Sequence, residues 1–313
     1  MLKIAPARIF SFRVKVTTKK MKNLLCLLFS LFTLQTYSQT TEENMKPAAK
    51  RDSGYAPVNG LKMYYEIYGV GKPLILIHGG VGAIEMWGSV LTTLSQNHSV
   101  IAVDLQAHGR TADIDRPLSF ELMADDIVAL IKYVKLDRAD IMGYSLGGGV
   151  ALQVAIRHPG IVNKLVVVSA PCKSDGWYPE IRSQMKQTGA TGAEGMKQSP
   201  LYQLYKRLAP KPQDWPVLFT KLGQLLSKDY DWTLEVKQMK ITTMIVVGDA
   251  DAIRMTSTVE FFQLLGGAQR DAGWDGRGQP KSELAVLPNM THYTISNSHA
   301  LAIAVIPFLG KKD

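Results

Sequence analysis

Gly143-Tyr144-Ser145-Leu146-Gly147 fits the pattern G-x-S-x-G. A serine hydroxyl attacks carbon poorly unless a base removes its proton and fixed donors receive the charge that develops. The two glycines allow a sharp turn that lifts the hydroxyl of Ser145 clear of its surroundings. A helix starting at Leu146 adds backbone N–H groups beside the developing anion. A second feature, His78-Gly79-Gly80, directly follows the apolar run Leu74 to Ile77. A backbone N–H from this loop, expected from Gly80, joins the N–H of Leu146 as an oxyanion hole. His78 itself is read as a histidine hydrogen-bonded within its loop rather than as a base.

A serine on such a turn is followed in chain order by an acid and then by a histidine. Only His158, His292 and His299 come after Ser145. His158 ends the helix that starts at the serine, a full helix length away. His299 falls in the last helical segment. His292 lies in the loop after an apolar strand, Leu284 to Leu287, where a base belongs. The acid should follow the preceding strand, Thr243 to Val247, in Gly248-Asp249-Ala250-Asp251. One aspartate would hold the imidazole tautomer. The other could cap a turn, and spacing alone does not separate them. Cys172 has no motif around it and reads as a buried thiol. The histidines are scattered without metal-ligand spacing, so neither a metal nor a cofactor is expected.

Placing these residues requires a particular scaffold. Short apolar runs at Pro73 to Ile77, Ser99 to Val103, Ala139 to Gly143 and Leu165 to Ser169 read as strands buried on both faces. Helical spacing lies between them, at Met86 to Leu94, Phe120 to Val134 and Leu146 to Arg157. The alternation predicts an α/β fold, a mostly parallel central sheet with helices on both faces. Ligands bind such sheets beyond the carboxyl ends of the strands, where the serine, acid and histidine all fall. The rhythm breaks over residues 175–238, where helical candidates (180–185, 202–208, 217–226) and seven Trp and Tyr residues replace strands. That stretch reads as a helical cap inserted into a core of residues 58–174 and 239–313. Its aromatics could line the site or form the cap's own core. The Gly-rich segment 266–279 could reach the site edge or form a surface hairpin.

The net charge of +9 does not indicate a nucleic-acid partner. Residues 1–38 hold seven Lys and Arg and no acid, and removing those seven leaves +2 for the rest. This basic stretch, followed by an apolar run from Leu24 to Leu34, reads as a secretory signal with a cut before Gln39. Residues 1–20 would be an extension, since Met21-Lys22 makes a more ordinary start. The alternative is an uncleaved anchor, though the apolar run is short for a bilayer. Export to the periplasm or outside the cell is therefore expected, with no membrane span once the leader is removed. Residues 39–57 read as a flexible lead-in.

Taken together, the chain resembles the α/β-hydrolase superfamily, and within it the capped, esterase-like members. The residues that carry the resemblance are His78 to Gly80, Trp87, Asp104 to Arg110, the turn at 143–147, Gly248 to Asp251 and His292. The resemblance implies Asp251 as the acid, Gly80 as an oxyanion donor and a structural role for Asp104 to Arg110. The sequence departs from the pattern in Thr291, where glycine often precedes the histidine, and in its long segment from Asp251 to His292. Related dehalogenases and epoxide hydrolases carry an aspartate nucleophile, so Ser145 points instead to acyl transfer. The leading expectation is hydrolysis of a small or medium apolar ester. Lactone opening or C–C hydrolysis with the same triad, or a weakly catalytic ligand-binding protein, are the alternatives.

Overall fold

A computed structural model describes residues 49–311. Its eight strands are β1 (Lys50–Val58), β2 (Leu61–Tyr68), β3 (Lys72–Ile77), β4 (His98–Val103), β5 (Ala139–Tyr144), β6 (Val162–Val168), β7 (Thr242–Ala250) and β8 (Glu283–Thr291). They form one sheet in the order β1-β2-β4-β3-β5-β6-β7-β8. The β1/β2 and β2/β4 pairs are antiparallel, and every pairing from β4 through β3 to β8 is parallel.

Strand period sorts the core into two layers. Ile75, Ile77, Ile141, Leu165, Val167, Ile245 and Val247 face one side. There they meet α2 (Phe120–Tyr133), α3 (Leu146–Arg157) and Phe261 of α9 (Met255–Leu264). The alternate residues Leu74, Leu76, Met142, Val166, Val168, Met244 and Val246 face the other. They are covered by α1 (Gly88–Leu94) and α10 (His299–Gly310). Burial on both faces is why these strands read as unbroken apolar runs.

One expectation is corrected, and one open choice is narrowed. Residues 50–57 are not a flexible lead-in, because Lys50–Val58 pairs along β2 through a turn at Asn59-Gly60. Both turn residues have positive φ, 47° and 81°, as a tight two-residue hairpin requires. Only Ala56 and Val58 of that edge strand are fully buried, so its outer half is polar. Residues 1–48, including the proposed leader, lie outside the described residues. The segment 266–279 connects the end of α9 to the start of β8. In a right-handed parallel crossover that connection lies at the amino ends of the strands, opposite the carboxyl edge. Ser282 shows this directly, since its hydroxyl accepts from the N–H of Thr243 at the start of β7 (3.4 Å). Trp274 at the tip of the segment is fully exposed.

Between β6 and β7 the chain forms α4 (Pro179–Lys186), α5 (Ala190–Gly195), α6 (Pro200–Leu208), α7 (Trp215–Leu226) and α8 (Thr233–Gln238). Trp215 lies among Tyr202, Tyr205 and Phe219, with ring centroids 4.7–5.3 Å away. Its indole N–H donates to the carbonyl of Ala193 (2.8 Å). Most of the aromatics in this stretch therefore pack on one another. Among the described residues no helix is long and apolar enough to cross a membrane.

Buried Lys164 closes the carboxyl end of α10. Its ammonium donates to the carbonyls of Phe308 (3.1 Å), Leu309 (3.3 Å) and Lys311 (2.5 Å). A cation there satisfies acceptors that the helix leaves open and complements its dipole. Lys164→Met should lower stability by about 1–3 kcal/mol, seen as a lower urea midpoint with an unchanged slope.

Candidate active site

Ser145 sits between the end of β5 and the start of α3 with φ 53° and ψ −116°. A residue with a side chain adopts that geometry only where its surroundings fix it. Here the fixing is backbone packing. A Cβ on Gly143 would lie 2.0 Å from the carbonyl oxygen of Gly147, and one on Gly147 would lie 2.2 Å from that of Ile77. Both positions exclude any side chain, which lets β3, β5 and α3 close around the turn. The N–H of Ser145 donates to the carbonyl of Val168 (2.9 Å), continuing the pairing of β5 with β6.

The side chain of Ser145 meets His292, with Oγ 3.0 Å from Nε2. The other ring nitrogen of His292, Nδ1, lies 2.9 Å from Oδ1 of Asp251. Asp251 is buried and receives further bonds from the N–H of Ala252 to Oδ1 (2.7 Å) and from the N–H of Gly248 to Oδ2 (3.1 Å). The hydroxyl of Ser169 also donates to Oδ2 (2.5 Å). Burial pushes the Asp251 carboxyl up. The hydrogen bond and charge of His292, with the bonds from Ser169 and Gly248, outweigh it and hold the group below its usual range. An ionised acceptor at Nδ1 places the imidazole proton there and leaves Nε2 able to accept from Ser145. The main chain of His292 is held by the Tyr144 hydroxyl, which donates to its carbonyl (2.5 Å). Trp177 stands edge-on to the imidazole at 5.4 Å between centroids.

Asp249 is placed differently. Its side chain is exposed and accepts from the N–H of Met290 (3.2 Å). Geometry thus separates two aspartates that spacing leaves equivalent.

Leu146 is the first residue of α3, so its N–H has no acceptor within the helix. Gly80 lies beside it, since a Cβ on Gly80 would come 3.9 Å from Cβ of Leu146. One on Gly79 would come 3.3 Å from Cβ of Ser145. The 78–80 loop and the head of α3 thus meet next to the serine, as an oxyanion hole requires.

The other titratable groups are occupied elsewhere. His78 donates from Nδ1 to the carbonyl of Gly79 (2.7 Å) and accepts at Nε2 from the N–H of Leu105 (3.1 Å). Burial pulls its pKa down to about 4, so it stays neutral at both nitrogens and is no base at Ser145. His158 pairs with Asp125 (2.8 Å), and His299 opens α10 beside Thr93 (3.5 Å). The buried thiol of Cys172 is pushed up to about 12 and so remains protonated at neutral pH. Asp104 ties its loop together by accepting from the N–H groups of Ile84 (2.9 Å) and Arg110 (2.8 Å) and from the Arg110 guanidinium (3.0 Å).

Sequence reasoning missed Ser169. The signal available was its place at the carboxyl end of an apolar run, the edge that also carries Ser145 and the aspartates. It also gave no individual role to Trp177, the aromatic of the inserted stretch that touches His292.

The chain belongs to the alpha/beta hydrolase family, whose model matches residues 74–304. It is similar to a putative carbamate hydrolase RutD from Rhizobium rhizogenes, 31% identical over 36% of this chain and 45% of that protein. The chain thus spans less than half the length of that relative. Among solved structures it resembles the carboxylesterase CesB from Bacillus subtilis, with TM-score 0.66, 18% identity, and coverage of 85% of this chain and 94% of that one. It also resembles the enol-lactonase from Burkholderia xenovorans LB400, with TM-score 0.61, 20% identity, and coverage of 82% and 100%.

Proposed function

We propose that this chain is a serine hydrolase that cleaves carboxylic esters of small or medium apolar substrates through an acyl-enzyme. The observation that carries the reading is the hydrogen-bonded run from Ser145 through His292 to Asp251, set on a strained turn beside the 78–80 loop. In the first step Ser145 Oγ bonds to the acyl carbon while His292 Nε2 takes its proton. The carbonyl oxygen becomes an oxyanion and meets the N–H groups of Gly80 and Leu146. Collapse expels the alcohol, which receives the proton from His292. Water then repeats the sequence on the acyl-enzyme, with His292 again as base, and releases the acid. Asp251 stays ionised and stabilises the imidazolium formed in each half.

The apolar preference rests on the rings of Trp177 and Tyr293, both 5.4 Å from the imidazole. Trp177 belongs to the helical insertion, which supports reading residues 175–238 as a cap over the site. The leader-like residues 1–38 support a substrate met after export.

The test is turnover of p-nitrophenyl esters of graded acyl length, alongside a lactone and a carbamate, with Ser145→Ala as control. Short and medium acyl esters should be the best substrates. Turnover confined to the lactone or the carbamate would replace the ester reading, as the names of two similar proteins suggest. No turnover together with tight binding of a small ligand would replace the enzyme reading.

A further inference from the structure

We propose that Ser169 is a fourth member of this site, a positioning residue whose hydroxyl fixes the carboxylate that orients His292. The inference rests on reading Ser145, His292 and Asp251 as a triad. Ser169 follows β6 directly, is fully buried, and donates from Oγ to Oδ2 of Asp251 at 2.5 Å. The donors around that carboxylate divide by origin. The N–H groups of Gly248 and Ala252 belong to the acid's own turn and move with it. His292 is the group to be oriented. Apart from His292, Ser169 is the donor named that comes from a different strand, so it ties the acid to the sheet rather than to its own loop.

The backbone at Ser169 points the same way. Its φ is 49°, in the left-handed region that a residue with a Cβ seldom adopts. Its N–H donates to the carbonyl of Val246 on β7 (2.9 Å), which fixes the turn against the strand that leads to Asp251. Glycine would occupy this turn without strain, yet a serine stands there and spends its hydroxyl on the acid. Such strain persists where other contacts determine it, and it gathers at functional sites. A carboxylate turns broadly about its last torsion, so the outer oxygen needs a partner of its own. Without the hydroxyl, Oδ2 keeps only the Gly248 N–H, and the Oδ1–Nδ1 bond loosens with it.

Besides His292, the titratable groups near Asp251 are the phenols of Tyr144, from β5, and Tyr293, next to the histidine. Both are raised and neutral across the working range, so the acid's charge answers chiefly to His292 and its donors. Loss of the Ser169 donor frees the carboxylate to turn, so the hydrogen bond from Nδ1 of His292 to Oδ1 should lengthen.

The experiment compares wild type with Ser169→Ala and Ser169→Gly, each folded as judged by thermal unfolding. Two readouts are used: the proton NMR signal of the His292 Nδ1–H, and kcat and KM on the best ester. Both variants should lose about tenfold or more in kcat, with KM within about twofold. In both, the proton NMR signal of the His292 Nδ1–H should move upfield, because its hydrogen bond to Oδ1 of Asp251 has lengthened. Ser169→Gly removes the strain, so it should unfold no earlier than Ser169→Ala while losing as much activity. Wild-type kcat in either variant overturns the proposal, as does a fall in kcat with an unmoved Nδ1–H signal. If Ser145→Ala turns over esters like wild type, the triad reading fails, and the Nδ1–H signal still decides whether Ser169 acts on His292.

Discussion

Ser145→Ala is expected to lower kcat on the best ester by about six orders of magnitude, and His292→Ala by a similar factor. On the proposed mechanism the two groups act as one device. The oxygen that attacks is only 3.0 Å from the nitrogen that takes its proton, so losing either removes the same step. The double variant should therefore be no worse than the single ones, which distinguishes a shared step from two independent contributions. A residual rate of about a thousandfold over water should survive, because the N–H groups of Gly80 and Leu146 remain in place. Folding should not suffer, since the turn is set by Gly143 and Gly147 rather than by the hydroxyl. Pre-steady-state kinetics with excess p-nitrophenyl ester gives the check, because on the proposed mechanism the burst of p-nitrophenol is the acylation of Ser145. Retention of activity within tenfold in Ser145→Ala would remove the serine from the mechanism.

What the sequence disclosed follows from where burial is complete. Helix α3 was legible at both ends, as an elbow at Ser145 and a stop at His158-Pro159-Gly160, and the structure has it over Leu146–Arg157. Strands β3, β5 and β6 are buried on both faces, and unbroken apolar runs betray them. Strand β1 is an edge strand with a polar outer half, so composition hides it and only Asn59-Gly60 hints at the hairpin. Helix α5 was unreadable for another reason. Its sequence Ala-Thr-Gly-Ala-Glu-Gly has poor intrinsic helicity, and it is held by burial of Ala193, whose carbonyl accepts from the Trp215 indole N–H. At the site, the order of serine, acid and histidine follows from chain topology. The choice between Asp249 and Asp251 does not. It depends on a register shift in the pairing of β7 with β8, where Gly248 faces Leu287 but Ala250 faces Thr291. Such an irregularity re-aims the residues that follow it, here both Asp251 and His292. No apolar pattern records it, because the residues concerned lie at the strand ends, where alternation has stopped.

That irregularity makes the two aspartates a sharp test. Asp251→Asn should lower kcat by about four orders of magnitude, while Asp249→Asn should leave it within about twofold. The carboxylate of Asp251 is ringed by donors: Nδ1 of His292 and the Ala252 N–H at Oδ1, and the Gly248 N–H and the Ser169 hydroxyl at Oδ2. An amide has only one accepting end. If its nitrogen faces Ala252 and His292, Nδ1 must become the acceptor, and the proton moves to Nε2. The ring then offers a donor to Ser145 where an acceptor is needed, and the serine keeps its proton. If its nitrogen faces Gly248 and Ser169 instead, a buried N–H meets another N–H and the turn is forced apart. Either orientation damages the base, so the loss should appear in kcat and should not be recovered by more substrate. Asp249 has no such surroundings. It is exposed and accepts one bond, from the N–H of Met290, which an asparagine oxygen can equally accept. Measured side by side on one ester, a larger loss in Asp249→Asn would reverse the assignment. Equal losses would mean that the strand ends work as one unit, with Asp249 holding Met290 and, two residues on, His292.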